Sequence, residues 1–203
     1  MYVGPTTATT PDGVRVIMMD VVYNGDPVQG EKELAPLRKI GPPIADGVVA
    51  QDYTVLQTNN DAAFGHGVRS YAKNGMVKEW TQGLVDIMLE ADDPRIFIAN
   101  HVAGGAVKRV VELDTAFPHR NAEIMLVVVA GWMDPAQDDE LFAACRAYYK
   151  AIEPHLGGYY GNIDFDQAAA KGNYGPAYER LSRIKGEYDP GNLFRLNSNI
   201  EPA

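Results

Sequence analysis

Seven consecutive apolar residues, Ile124 to Ala130 (IMLVVVA), constrain this chain more than any other stretch. A run of that length and β-branched content reads as a central strand, and with no polar residue on either parity it needs cover on both faces. Val14 to Tyr23 (VRVIMMDVVY) is apolar on both parities apart from Arg15 and Asp20, and reads as a second strand buried on both faces. Val68 to Val77 and Arg95 to His101 supply two more strands, the latter ended by the break or bulge Ala103-Gly104-Gly105-Ala106.

Helices separate these strands. Glu31 to Ile40 spaces Leu34, Leu37 and Ile40 by three and stops at Gly41-Pro42-Pro43. Lys78 to Ala91 places Trp80, Leu84, Ile87 and Met88 on one side. Asp134 can cap a third helix with Pro135 at its first position, and Leu141, Phe142, Cys145, Tyr148, Tyr149 and Ile152 form its stripe before Pro154. Val48 to Asn60 is ambiguous, and Phe64-Gly65-His66-Gly67 is a bend. The element order favours an α+β fold, a mostly antiparallel sheet with helices packed on one face. That arrangement leaves a tension: helices on one face do not explain strands that are apolar on both.

At 203 residues the chain suffices for one well-cored domain, and residues 1 to 13 read as a loose lead-in. A formal net charge of -9, with lysines and arginines scattered singly, argues against nucleic acid or an anionic membrane surface as partner. No apolar run reaches membrane-spanning length and the start lacks a secretory pattern, so the expected location is cytoplasmic. The single cysteine, Cys145, excludes an internal disulfide framework and reads as a small buried hydrophobe.

The last forty-odd residues, from Gly157 to Pro202, carry the polar side chains of most interest. They read as a short strand bearing Tyr160 and Asn162, an amphipathic helix, an Asp189-Pro190-Gly191-Asn192 turn and a final strand bearing Arg195, Asn197 and Asn199. Gly157-Gly158 would let a planar ligand approach. Tyr160 is open to two readings, a functional phenol or an ordinary strand aromatic whose hydroxyl reaches solvent. The amides at 197 and 199 either face a ligand or satisfy neighbouring loops. Tyr174, Tyr178, Leu181, Ile184 and Tyr188, spaced by three or four, read as a core stripe. His119 and Arg120 either orient an acidic group or pin their loop. His66, His101 and His155 lack ligand spacing, so no metal site is expected.

The C-terminal pattern YERLxxxKxxYDPxNLFRLNxNI, together with AFPHR at 116–120, closely resembles the berberine bridge enzyme-like flavin oxidases of the vanillyl-alcohol oxidase superfamily. VVYNGDPVQGEKELAPLRKIG and HVAGGAVKRV extend the resemblance to nearly the whole chain. It implies the substrate cap domain (14–156) and berberine-type segment (157–203) of an FAD-dependent oxidoreductase, packed as one unit, with an N-terminal FAD-binding domain to be supplied in cis or in trans. By the same resemblance Tyr160 helps remove the substrate's hydroxyl proton, and Asn162 and Asn197 lie near the flavin ring. The bared sheet face would roof the flavin. Free phenol has a pKa of about 10, so the tyrosine needs a donor or positive charge nearby to act as a base at neutral pH. Plant members carry polar side chains, a glutamate among them, on the strand after FPHR. Here Ile124 to Val129 has no ionisable group, which implies an apolar pocket roof and puts benzylisoquinoline-type chemistry in doubt.

Two functions follow as expectations. In the first, a small organic substrate gives hydride to FAD, oxygen reoxidises the cofactor, and the chain alone, which has no G-x-G-x-x-G, neither binds FAD nor turns over. In the second, the chain is a flavin-free binding or self-associating module. A homodimer is expected in either case, because a large apolar face is rarely left in water.

Overall fold

The computed structural model describes residues 1–10, 12–62, 65–90, 93–163 and 170–203. Phe64 of the expected bend, Ala91 at the expected end of a helix, and 164–166 of the expected Tyr160 strand lie outside them. Five strands form one sheet: β1 (Tyr2–Thr9), β2 (Arg15–Val22), β3 (Arg69–Val77), β4 (Ile96–Val102) and β5 (Ile124–Trp132). Their spatial order is β2-β1-β4-β5-β3, and every pairing is antiparallel. The α+β expectation holds, and the apolar run at 124–130 has a strand on each side.

Register decides which residues share a face. Val128 lies opposite both Ile98 and Lys73, so the even residues of β5 look toward the helices and the odd ones look away. Helix α3 (Gln82–Glu90) and helix α5 (Asp138–Ile152) cover the first face. Leu84, Ile98, Leu126, Val128, Leu141 and Ile152 are all at or below 1% exposure there. Cys145 belongs to the same core, and burial pushes its thiol up to about 12, as expected of a packing residue. Asp134 caps a single 3-10 turn through Ala136 N at 2.9 Å, with Pro135 at its first position, and α5 follows directly. Asp138, opening α5, pairs with Arg69 and accepts from Trp132 Nε1 at 2.7 Å. It thereby ties the helix to one end of the registered Arg69–Trp132 pair, and Arg69 holds its carboxyl below the usual range.

The N-terminal reading needs correction. Tyr2–Thr9 is a strand, not a loose lead-in, and pairs along its length with β2. The Pro5 it contains removes one donor, yet Thr6 and Thr7 still register with Ala99 and Ile98. Arg15–Val22 is the sheet edge and is not buried on both faces: Ile17 is 60% exposed, Met18 51% and Met19 38%. No helix among the described residues reaches over it. Arg15 bridges across, donating to the Met88 and Leu89 carbonyls of α3. The second face at β5, by contrast, is covered by the chain itself: Val127 and Val129 are buried beside Ala72, and Ile163 of the C-terminal segment packs onto them. Cover at β5 and bareness at β2 together resolve the tension left by the apolar pattern.

The first expected helix is shifted. Helix α1 is Pro27–Leu34, capped by Asp26 through Gln29 N at 2.9 Å, with a separate 3-10 turn at Leu37–Lys39. Pro36 separates them, since it supplies no N–H for a continuous ladder. Helix α2 (Tyr53–Thr58) settles the ambiguous stretch, and helix α4 (Ala106–Arg109) follows the Gly104-Gly105 break. Helix α6 (Ala170–Tyr174) and helix α7 (Tyr178–Tyr188) belong to the C-terminal segment. Of the expected core stripe only Tyr178 is buried, at 9% exposure: Tyr174 and Leu181 are half-buried, Ile184 is 42% exposed and Tyr188 79%.

Candidate functional site

Two sequence motifs far apart along the chain, the AFPHR loop and the Asn197–Asn199 stretch, meet the Tyr159–Asn162 turn, which makes the third. The AFPHR loop approaches first: the Phe117 ring stands edge-on to Tyr160 at 6.2 Å and to His119 at 5.5 Å. His119 Nε2 lies 3.0 Å from Tyr159 O and 2.9 Å from Asn173 O, so this nitrogen carries the proton and donates to both carbonyls. Arg120 stacks on Phe117 at 4.9 Å and donates to Thr115 Oγ1 at 2.7 Å. His119 and Arg120 both tie loops together in this structure. The second motif enters through Ser198, whose Oγ would lie 2.8 Å from a Cβ placed on Gly161, bringing the Asn197-Ser198-Asn199 stretch against the same turn.

Neither C-terminal strand forms among the described residues. Residues 159–162 run into a turn, yet Tyr160 and Asn162 still meet, with Asn162 Nδ2 donating to the Tyr160 hydroxyl oxygen at 2.7 Å. Residues 193–199 are irregular, and Asn197 adopts a left-handed φ of 61° that breaks any shared face with Arg195 and Asn199. Residues 157–158 do meet the edge of the sheet at β3, Gly157 N donating to Met76 O at 2.7 Å and Met76 N to Gly158 O at 2.8 Å, but the chain turns away after that single exchange, whereas 193–199 turns back on α7. This last segment is held at its ends. Asp189, paired with Lys185, accepts from Leu193 N at 2.8 Å and Phe194 N at 3.1 Å. Ser182 Oγ donates to Glu201 O at 2.6 Å, and Ala203 N to Ser182 O at 3.1 Å. Between those anchors Leu193, Phe194 and Leu196 are 72%, 79% and 86% exposed.

The Gly157-Gly158 pair serves the chain's own packing. A Cβ on Gly158, whose φ is 135°, would sit 2.6 Å from His119 Cε1, so the imidazole already occupies the space reserved for a ligand in the sequence reading. Sequence reasoning missed Asn74 and Asn173. Asn173 Oδ1 accepts from Gly161 N at 2.9 Å. Asn74, with 0% exposure, accepts from Tyr160 N at 2.7 Å and donates to Tyr160 O at 2.8 Å. The available signal was Asn74-Gly75 inside an otherwise good strand, where both residue types are disfavoured. Gly75 is explained from the other face, where a Cβ would strike the Leu156 side chain.

Burial lowers the His119 pKa from its ordinary value, against the opposing effect of its two backbone hydrogen bonds. The unfolded chain then takes the proton first as pH falls. His119's contribution to stability is intact above the free-imidazole pKa of about 6.5 and is lost as pH drops through it. Urea melts at pH 7 and pH 5 should therefore show lower stability at pH 5, and His119→Gln should flatten that difference.

A hollow of about 80 Å³ beside His119, lined in part by Met76, Lys78, Glu112 and Asn121, is small for an organic substrate. A second, of about 390 Å³, lies between the Leu113–Ala116 loop and α7. Neither takes in Tyr160, which is half-buried, or Asn162, which is exposed. No group of three or more His, Cys, Asp or Glu among the described residues is arranged to hold a metal, and no helix among them is long and apolar enough to cross a membrane.

Comparison with known proteins follows this geometry closely. Residues 158–201 match the family model described as berberine and berberine like. An FAD-linked oxidoreductase of Dictyostelium discoideum is 28% identical over 201 residues, covering 95% of this chain and 43% of that protein. Among solved structures, 6-hydroxy-D-nicotine oxidase of Arthrobacter nicotinovorans superposes with a TM-score of 0.80 at 21% identity, over 100% of this chain and 48% of that one. Berberine bridge enzyme of Eschscholzia californica gives 0.78 at 19% identity, over 99% and 48%. The chain thus spans about half the length of these relatives.

Asn162 and Asn197 are both exposed amides, the residue type that could meet the polar edge of a flavin ring. A pyrophosphate needs a run of free backbone N–H groups at a helix start, and Gly104-Gly105 leads only into the four-residue α4.

Proposed function

We propose that the chain, whose residues 158–201 match the berberine-like family model and which resembles FAD-linked oxidoreductases over most of its length, is the substrate-binding part of an FAD-dependent oxidase. The observation that carries this reading is that the AFPHR loop and the Asn197–Asn199 stretch both meet the turn bearing the half-buried Tyr160, whose hydroxyl accepts from the exposed Asn162. A site built this carefully and left unroofed calls for a second body, and a flavin domain, supplied in cis or in trans, has the matching chemistry. Bound FAD would supply a hydride acceptor that oxygen can regenerate.

The chain's own residues handle the proton and the pose. A small organic alcohol or amine would place its O–H or N–H at the Tyr160 oxygen, which takes the proton as the phenolate. Asn162 donates to that oxygen, the arrangement that supports negative charge on it. His119 and Phe117 fix the turn and the ring. Asn162 and Asn197 would face the flavin ring, and no ionisable side chain on β5 competes for the substrate's proton.

A flavin-free, self-associating module is the second reading, favoured by the exposed edge at Ile17, Met18 and Met19. One experiment separates them: sedimentation velocity read at 280 and 450 nm, on the chain alone and with FAD plus the flavin domain encoded upstream or by an adjacent gene. We expect a dimer or larger species without 450 nm absorbance for the chain alone, and co-sedimenting flavin absorbance with the domain. Flavin that stays with the chain alone would show that it builds its own cofactor site. No flavin under either condition would move the assignment to the module.

A further inference from the structure

The turn carrying Tyr160 belongs to no strand, yet its backbone is held as firmly as one. Asn74 lies in β3 opposite Val127, on the face turned away from α5, and is completely buried. Its carboxamide oxygen accepts from Tyr160 N at 2.7 Å and its nitrogen donates to Tyr160 O at 2.8 Å. One side chain thus satisfies both backbone groups of a single residue, the exchange that an opposing strand residue would make. The residues on either side are held too, Tyr159 O by His119 and Gly161 N by Asn173.

We propose that Asn74 is a positioning residue for Tyr160, a two-point clamp that fixes the backbone from which the phenol reaches the substrate. The assignment rests on the reading of Tyr160 given above. Asn74's neighbours on the same face of β3 are Ala72 and Met76, both buried and apolar. Packing alone would place a third apolar side chain between them, since burying an amide is costly unless both its ends are bonded. Here both ends are spent on Tyr160. With that backbone fixed, the side chain keeps only its two torsions, and the Phe117 edge and Asn162 restrict those. A tyrosine on an unclamped turn would sample many directions; this one is aimed.

The test uses the chain itself and needs no flavin. Amide hydrogen exchange by NMR on the nitrogen-15-labelled chain should show Tyr160 N–H exchanging at least tenfold faster in Asn74→Leu, with the amides of β5 unchanged. Asn74→Asp should behave like Asn74→Leu at neutral pH, because a carboxylate accepts from the N–H but repels Tyr160 O. On acidification the protonated carboxyl regains one donor and one acceptor. Protection of Tyr160, expressed as a ratio to the wild-type chain at the same pH to remove the titration of His119, should then return. Exchange that rises equally across β3 and β5, or does not change at Tyr160, would overturn the proposal. So would an Asn74→Asp chain showing no recovery in acid, and that series decides the matter if Asn74→Leu does not fold. Failure here with flavin uptake intact removes the clamp alone. Failure of flavin uptake with these exchange results intact removes the oxidase reading alone.

Discussion

Tyr160→Phe, in the chain joined to its flavin domain, is expected to slow substrate-driven bleaching of the flavin by roughly 10²- to 10⁴-fold, the usual contribution of a positioned acid–base group. The substitution removes one oxygen and little else. The ring keeps its edge contact with Phe117, and Tyr160's backbone keeps both hydrogen bonds to Asn74. Asn162 loses the acceptor for its amide and turns to solvent, which costs little at an exposed position. The fold should therefore be untouched and the loss confined to the chemical step. Stopped-flow absorbance at 450 nm, with the first alcohol or amine found to bleach the wild-type flavin, measures it. A rate within threefold of wild type would remove the phenol from the mechanism and leave it a packing residue.

Leu141→Ala should have the largest effect on stability. Leu141 lies on the inner side of α5 with 0% exposure, in the cluster that includes Leu126, Val128 and Trp132 of β5. Truncation removes apolar contacts and leaves a void that a stiff sheet cannot close, at about 2–5 kcal/mol. For a chain of this size that corresponds to a melting point lower by roughly 4–20 °C. Cys145→Ala, one turn along the same stripe, deletes a single atom and should cost much less. Differential scanning calorimetry of both variants tests this ranking, and equal losses would mean that α5 does not seat as described.

The sheet and its principal helices were legible because their sequence patterns report burial directly. IMLVVVA at 124–130 and the α5 stripe are core in the structure, and Asp134-Pro135 opens the helical segment as its residue types suggest. What could not be read was how elements are covered. The apolar pattern of Val14–Tyr23 says that cover is wanted, not whether this chain provides it, and β2 proves to be the bare edge. The same limit explains the two missing C-terminal strands. Tyr160, Asn162 and Asn197 were singled out by motif, but alternation along a sequence does not say how far pairing with the β3 edge runs, and here it stops at Gly158. Asn74 was illegible for a different reason. Its role depends on a backbone 86 residues further along the chain, and nothing local announces a partner at that distance.

The sheet's shortest registered ladder is the seam between β1 and β4. Registered pairs run along the whole of β1–β2 and β3–β5, while β1 and β4 share only Thr6–Ala99 and Thr7–Ile98, helped by the Asn100 side chain on Pro5 O. The principal core cluster lies entirely on the β4 side of that seam. The N-terminal hairpin is a local structure that closes early, while its docking waits for strands synthesised much later. Its persistence is borrowed from whatever lies against it, and opening at the seam would release the hairpin with the α5 layer still folded. Arg15, reaching from β2 to the Met88 and Leu89 carbonyls of α3, and Tyr2, reaching His101 of β4, are then side chains that hold this hairpin to the rest of the molecule.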